Sequence, residues 1–279
     1  MKTAFVIILI FLITQLLGLY VGNQYSQLIK TGEVAPPIEN PEAVENSFIL
    51  FGYILLSTAG LLIIIKFKKS FIRILEAVVV FLASWVTFDL LIPYDIGFLS
   101  LGFFLAIILT GWKMLRPTIT SQNFAAVISG AGAGTLIGGS LGILPSLVFI
   151  MILSAYDFVS VFITKHMIHM AKAITERPTA FTIAVPHKFK KLTYVGIKKA
   201  KRKIHIFQLG VGDMVIPLMF SVSVLSKYTI MNSLMTILGS TIALFLMVYF
   251  MTKRPMPLPA LPFICVGTLS GFLISLLIL

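Results

Sequence analysis

Nine stretches of about 20 mostly apolar residues follow one another along this chain, and each is long enough to cross bilayer hydrocarbon as a helix. They cover roughly 3–22, 47–65, 71–93, 96–114, 124–143, 144–164, 207–226, 231–251 and 258–279, with only Gly142, Pro145 and Ser146 marking the break between the fifth and sixth. The chain is 58% hydrophobic and 11% charged, where soluble domains carry about 25% charged residues. A soluble protein of 279 residues has too small an interior for that much apolar surface, so the bilayer must supply the rest. The expected fold is an all-α polytopic membrane protein with nine transmembrane helices. The opening Met-Lys-Thr resembles the start of a signal peptide, but the run behind it is long enough to span and no small-residue cleavage site follows. It reads as a retained first helix. Cys265 is the one cysteine; it lies in an apolar run, forms no intramolecular disulfide and reads as a packing residue.

The charges orient the helices. Net charge is +12, which in a soluble protein would suggest nucleic acid. Here the basic residues sit in short segments between apolar runs, which points to topology and lipid contact instead. In a nine-helix arrangement, all of the 22 Lys and Arg except Lys30 and Lys227 fall on one side, and that other side also receives Glu33, Glu39, Glu42, Glu45 and Asp95. By the positive-inside rule the N-terminus is cytoplasmic and the C-terminus external. Miscounting one helix would scramble the alternation, so the charges support count and orientation together.

The chain divides into helices one to six (1–164), a basic cytoplasmic connection (165–206) and helices seven to nine (207–279). The connection carries Pro178 and Pro186 and is expected to hold a short strand near 181–185. In the fifth helix Gly130, Gly134, Gly138 and Gly142 recur every fourth residue. One helix face is therefore all glycine, a small-xxx-small surface that lets another backbone approach closely. A phosphate-binding loop would need a following Gly-Lys-Ser/Thr, which is missing.

Few acids lie well inside a run, and Asp157 and Asp213 are the clearest. A carboxylate at the bilayer centre costs about 2.5–3.5 kcal/mol on insertion scales, so its default reading is functional. Asp157 lies eight positions before Lys165 and Asp213 eight after His205. At about 1.5 Å per residue, each would sit about 12 Å beneath the inner boundary, on antiparallel helices that could bring them together. Gly210 and Gly212 precede Asp213 and allow close backbone approach and an easily loosened helix start; Tyr156 offers a hydroxyl beside Asp157. Two carboxyls in contact cannot easily both ionise and share a proton. That state suits peptide hydrolysis: the ionised acid takes a proton from water and the protonated one donates to the scissile carbonyl. No metal, cofactor or covalent nucleophile is needed. Near the last helix, Pro255, Pro257, Pro259 and Pro262 prevent regular helix, and irregular backbone at membrane depth must face protein or a watery cavity. Its free carbonyls and amides could pair with an extended substrate.

Tyr156-Asp157, Gly210-Val211-Gly212-Asp213 and Pro259-Ala260-Leu261 resemble the YD, GxGD and PAL motifs of the presenilin and signal peptide peptidase family of intramembrane aspartyl proteases. They fall in the family's order, on helices six, seven and nine. The resemblance implies catalytic roles for Asp157 and Asp213 and substrate-positioning roles for Pro259, Ala260 and Leu261, with Tyr156, Gly210, Val211 and Gly212 supporting the site. Val211 stands where presenilins commonly have leucine, which implies at most a change in specificity. The charge-derived orientation resembles presenilin rather than signal peptide peptidase, whose topology is inverted. Composition and short loops resemble a microbial, archaeal member. The implied partners are transmembrane helices of substrate proteins and the lipids of the plasma membrane; a homo-oligomer is left open, and no nucleic acid is implied.

Competing readings attach to other residues. Tyr94-Asp95 is a second Tyr-Asp pair, but it follows Pro93 in a short external turn where a solvated acid costs little. Asp89 is expected near the outer interface. Glu76 is expected to pair with Arg73 or Lys69. His166, His169, His187 and His205 lie in or beside the basic connection without acidic or cysteine ligands, which reads as a solvated face rather than a metal site. Intramembrane acids also build proton relays, so a proton- or ion-coupled transporter is the alternative from another class. A prepilin-type leader peptidase also uses a GxGD aspartate, and the proline-rich segment argues against it.

Overall fold

Within hydrocarbon every backbone polar group must be satisfied inside the protein, so apolar runs fold as helices. The computed structural model describes residues 2–67, 69–96, 99–162, 180–186, 206–253 and 259–279. Among these are nine helices: α1 (Lys2–Thr31), α2 (Glu45–Phe67), α3 (Lys69–Leu91), α4 (Leu101–Leu115), α5 (Ile119–Ser140), α6 (Ile143–Phe162), α7 (Gly212–Lys227), α8 (Ile230–Lys253) and α9 (Ala260–Ile278). Five are long and apolar enough to cross a membrane: α1, α3, α6, α8 and α9. Side chains such as Phe5, Tyr53, Ile108, Ile242 and Leu277, from five different helices, are exposed, an apolar outer surface suited to contact with lipid. The chain is a polytopic, mostly helical membrane protein.

Two short antiparallel ribbons interrupt the helices, and both correct the expected boundaries. β1 (Asp95–Ile96) pairs with β2 (Leu99–Ser100), so the fourth helix starts at Leu101, where Ser100 caps it by accepting from Phe103 N–H at 3.2 Å. β3 (Thr182–Pro186), close to the strand expected there, pairs with β4 (Ile206–Gly210). Consequently the seventh helix begins at Gly212, not near 207. Tyr94 and Asp95 are exposed on the first ribbon. The break between α5 and α6 falls at Leu141 and Gly142. Pro145 then sits in the first turn of α6, where its missing N–H leaves no helical bond unmade.

The interior is organised around α7, which is 16 residues long and, at about 1.5 Å per residue, too short to cross about 30 Å of hydrocarbon alone. It need not face lipid. Every residue from Ile216 to Leu225 is buried, against α1, α5, α6, α8 and α9. The glycine face of α5 makes this possible. A Cβ at Gly134 would lie 2.6 Å from a Leu218 methyl, and one at Gly138 would strike the Met219 carbonyl and lie 2.8 Å from Val222 Cβ. Gly18 and Gly22 of α1 receive Leu218 and Val222 from the other side. Helix α7 is thus held between two small-residue faces, as the four-residue glycine spacing predicts for α5.

Candidate active site

Asp157 lies in the second half of α6 and is 4% exposed. Its Oδ2 accepts a hydrogen bond from Leu261 N–H at 3.3 Å. The donor exists because of the prolines. Pro259, with φ −66° and ψ 120°, acts as N-cap of α9, so Leu261 N–H is one of the first-turn donors with no intrahelical acceptor. Pro262 follows and has no N–H at all. The opening of α9 therefore directs a free donor and the positive end of a helix at the carboxylate. Pro259 and Leu261 are buried and Ala260 is half-buried.

Asp213 reaches the site by a different route. Residues 206–210 are extended, rising about 3.3 Å each rather than about 1.5 Å, so the depth computed for a continuous helix does not apply. Asp213 stands instead in the first turn of α7, half-buried. Gly210 N–H donates to its carboxylate, and a Cβ on Gly210 would lie 3.2 Å from Oδ2, so the backbone approach expected at Gly210 is present. At Gly212 it is not: the residue is exposed, and an added Cβ would meet nothing within 4 Å. Val211 turns away from the acid toward α5, where a Cβ at Gly130 would contact its Cγ1 at 3.4 Å. Val211 N–H donates to Phe181 O at 2.9 Å, tying the helix start to the residue before β3.

Helices α6, α7 and α9 pack on one another, and the two carboxyls lie within electrostatic reach of each other, near the buried Cys265 of α9. Helices α6, α7 and α9 therefore converge at one point and bring the three sequence motifs together. Tyr156, one residue before Asp157, is half-buried and packs its ring edge-on against Phe51 of α2 at 5.8 Å. Its hydroxyl is thus held on the α2 side.

Two features open near the three motifs. The first is a lateral apolar groove of about 890 Å³, walled by Phe158 and Phe162 of α6, Leu246 and Phe250 of α8, and Pro259 and Phe263 at the start of α9. The second is the free edge of β4. On α5, Asn123 bonds both backbone groups of Ala184, Nδ2 to O at 3.0 Å and N–H to Oδ1 at 2.9 Å, and Gln122 donates to Thr182 O. The groups of Ala184 therefore face α5. Antiparallel alternation then turns the N–H and C=O of its register partner Gln208 away from β3. Among the described residues no second strand covers that edge.

Several contributors have only faint sequence signals. Gln15, a polar residue in the apolar α1, donates to Met214 O at 2.8 Å and steadies the first turns of α7. Pro217 has removed the N–H that would otherwise reach Asp213 O. Glu76 pairs with Lys113 of α4 rather than with Arg73 or Lys69. The four histidines lie outside the described residues, as do Pro255 and Pro257. Among the described residues no group of three His, Cys, Asp or Glu could hold a metal ion.

The family model described as signal-peptide peptidase, presenilin aspartyl protease matches residues 8–279. Two crystal structures of a presenilin family intramembrane aspartate protease, in different crystal forms, superpose on the chain. One has a TM-score of 0.70 at 22% identity, covering 99% of both chains. The other has a TM-score of 0.66 at 23% identity, covering 95% of this chain and 97% of that one. A search by sequence among curated proteins finds no significant match.

Proposed function

The chain belongs to the signal-peptide peptidase and presenilin family of aspartyl proteases and is an intramembrane protease; from that premise, we propose that Asp157 and Asp213 are its catalytic pair. The supporting observation is their convergence from separate helices to within electrostatic reach, beside an open strand edge. One carboxylate takes a proton from a water held between them, and the oxygen attacks the scissile carbonyl carbon. The protonated partner donates to the carbonyl oxygen, giving a tetrahedral diol. The first acid then gives its proton to the nitrogen while the second takes one from a diol hydroxyl, so the C–N bond breaks, a carboxylic acid and an amine leave, and one proton again remains with the pair. Leu261 N–H on Asp157 and Gly210 N–H on Asp213 fix the two acids, which gives the PAL and GxGD residues a positioning role; Val211, Gly212 and Ala260 shape the turns that carry them, and Tyr156 braces α6 against α2.

The substrate is a transmembrane segment of another protein. It enters along the apolar groove, and its unwound part adds as a strand to the edge of β4 at Gln208, where main-chain bonds hold any sequence in extended form. The proposal includes nine crossings of the plasma membrane with the N-terminus cytoplasmic and the C-terminus external. The ion pair of Lys227 with Glu42 at 3.6 Å supports this, since it joins two residues assigned to the external face. A homo-oligomer packed through the outer apolar face belongs to the same proposal and is read by cross-linking in liposomes. Proton-coupled transport draws no support from the family. The test is cleavage of a labelled single-span substrate in liposomes. Asp157→Asn and Asp213→Asn should each lower the rate by about 10²–10⁴-fold or more; fragments appearing at the wild-type rate from either variant would remove the assignment.

A further inference from the structure

Glu76 and Lys113 form an ion pair away from the acids, with both side chains buried, at 5% and 3% exposure. Such a pair is expensive: desolvation can exceed the Coulomb gain, and apolar residues of similar volume often serve stability as well. The hydrogen bonding gives it another task. Glu76 Oε1, besides pairing with Lys113, accepts from the backbone N–H of Ala180. Ala180 is 2% exposed and packs among Val80, Leu109, Ala125 and Ile128. The next residue, Phe181, accepts from Val211 N–H at 2.9 Å, and Val211 is the N-cap of α7, two residues before Asp213. From Thr182 onward β3 pairs with β4, which runs directly into Gly210.

We infer that Glu76, held by Lys113, is a positioning residue for the protease: it anchors Ala180 so that Phe181 fixes the start of α7 and hence Asp213. The path runs from Lys113 through Glu76, Ala180 and Phe181 to Val211 by an ion pair, two hydrogen bonds and one peptide bond, and Asp213 follows in the first turn of α7. Lys113 pairs with the carboxylate and aims it, and Glu76 supplies a buried acceptor from α3 to Ala180 N–H. An ammonium–carboxylate pair suits the task because the acceptor must serve a backbone N–H and stay fixed in a buried place. Apolar side chains would fill the same space without holding Ala180. This role rests on the assignment of Asp213 as a catalytic acid, but the contacts themselves do not.

The test separates anchoring from packing. E76L/K113M replaces the pair with apolar residues, and E76Q/K113Q keeps an acceptor for Ala180 N–H without charge. E76L/K113M is expected to keep its Tm, to lose about 10- to 100-fold in kcat and to leave KM within about twofold, while E76Q/K113Q recovers most of kcat. In parallel, amide exchange is read across 206–214 in an Asp213→Asn background, where no activity is needed. There E76L/K113M should exchange about tenfold faster in that segment and E76Q/K113Q should not. Normal exchange with normal kcat in E76L/K113M overturns the inference. Faster exchange with unchanged kcat upholds the anchor and places the failure in the assignment of Asp213. If E76L/K113M does not fold, E76L/K113Q against E76Q/K113Q decides: faster exchange at 206–214 in E76L/K113Q alone upholds the backbone anchor, and equal exchange in the two overturns it.

Discussion

At the level of single side chains, Gly210 shows how narrow the tolerances are. Its N–H holds the Asp213 carboxylate, and a methyl group in its place would stand 3.2 Å from Oδ2, tighter than ordinary contact. Gly210→Ala should leave the fold intact, since the clash falls on one side-chain oxygen, yet lower kcat by about tenfold or more through displacement of an acid by tenths of an ångström. Gly212→Ala meets open space and should cost less than about twofold in rate, with helix propensity improved by up to about 1 kcal/mol. Steady-state cleavage in liposomes checks both, and equal losses would mean that the contact at Gly210 is unimportant. The acids themselves were legible from sequence, because a carboxyl in an apolar run asks for a reason. The unequal use of the two glycines was not, because it depends on which backbone atoms surround each one.

Among elements, α7 and the β3–β4 ribbon illustrate what a hydrophobic run conceals. The sequence from 207 reads as the start of a spanning helix, but pairing with β3 holds residues 206–210 extended, and the bond partners come from residues far away in the chain. Asn123 is the clearest of these: by bonding both backbone groups of Ala184 it replaces a neighbouring strand. Asn123→Ala leaves those groups unpaired and should destabilise the ribbon by about 1–3 kcal/mol, seen as faster amide exchange over 182–186 and 206–210; unchanged exchange would contradict its role. The glycine face of α5 was readable from its four-residue period, though its partner was not. Gly138→Val, meeting Met219 O and Val222, should lower stability by about 1–3 kcal/mol through overpacking, measured as a fall in Tm in detergent.

For the whole molecule, composition alone requires a bilayer, and lysine and arginine positions suggest how the helices thread it. Among the described residues, length and hydropathy single out five spans, while the charge alternation argues for nine. Burial of α7 on every side frees it from the need to be lipophilic and lets it carry an acid, two glycines and a proline. The outer helices take over contact with lipid, and the groove between α6, α8 and α9 runs past Phe158 and Pro259, next in the chain to Asp157 and Ala260. In the proposed mechanism Asp157 and Asp213 share one proton. The pH dependence of kcat/KM, measured in liposomes on a substrate without titratable groups near the cut, tests it most directly. A bell is predicted, with an acid limb where the second carboxyl becomes protonated and an alkaline limb where the shared proton is lost. A rate that keeps rising with pH and reaches a plateau, with no alkaline limb while the protein remains folded, would contradict it.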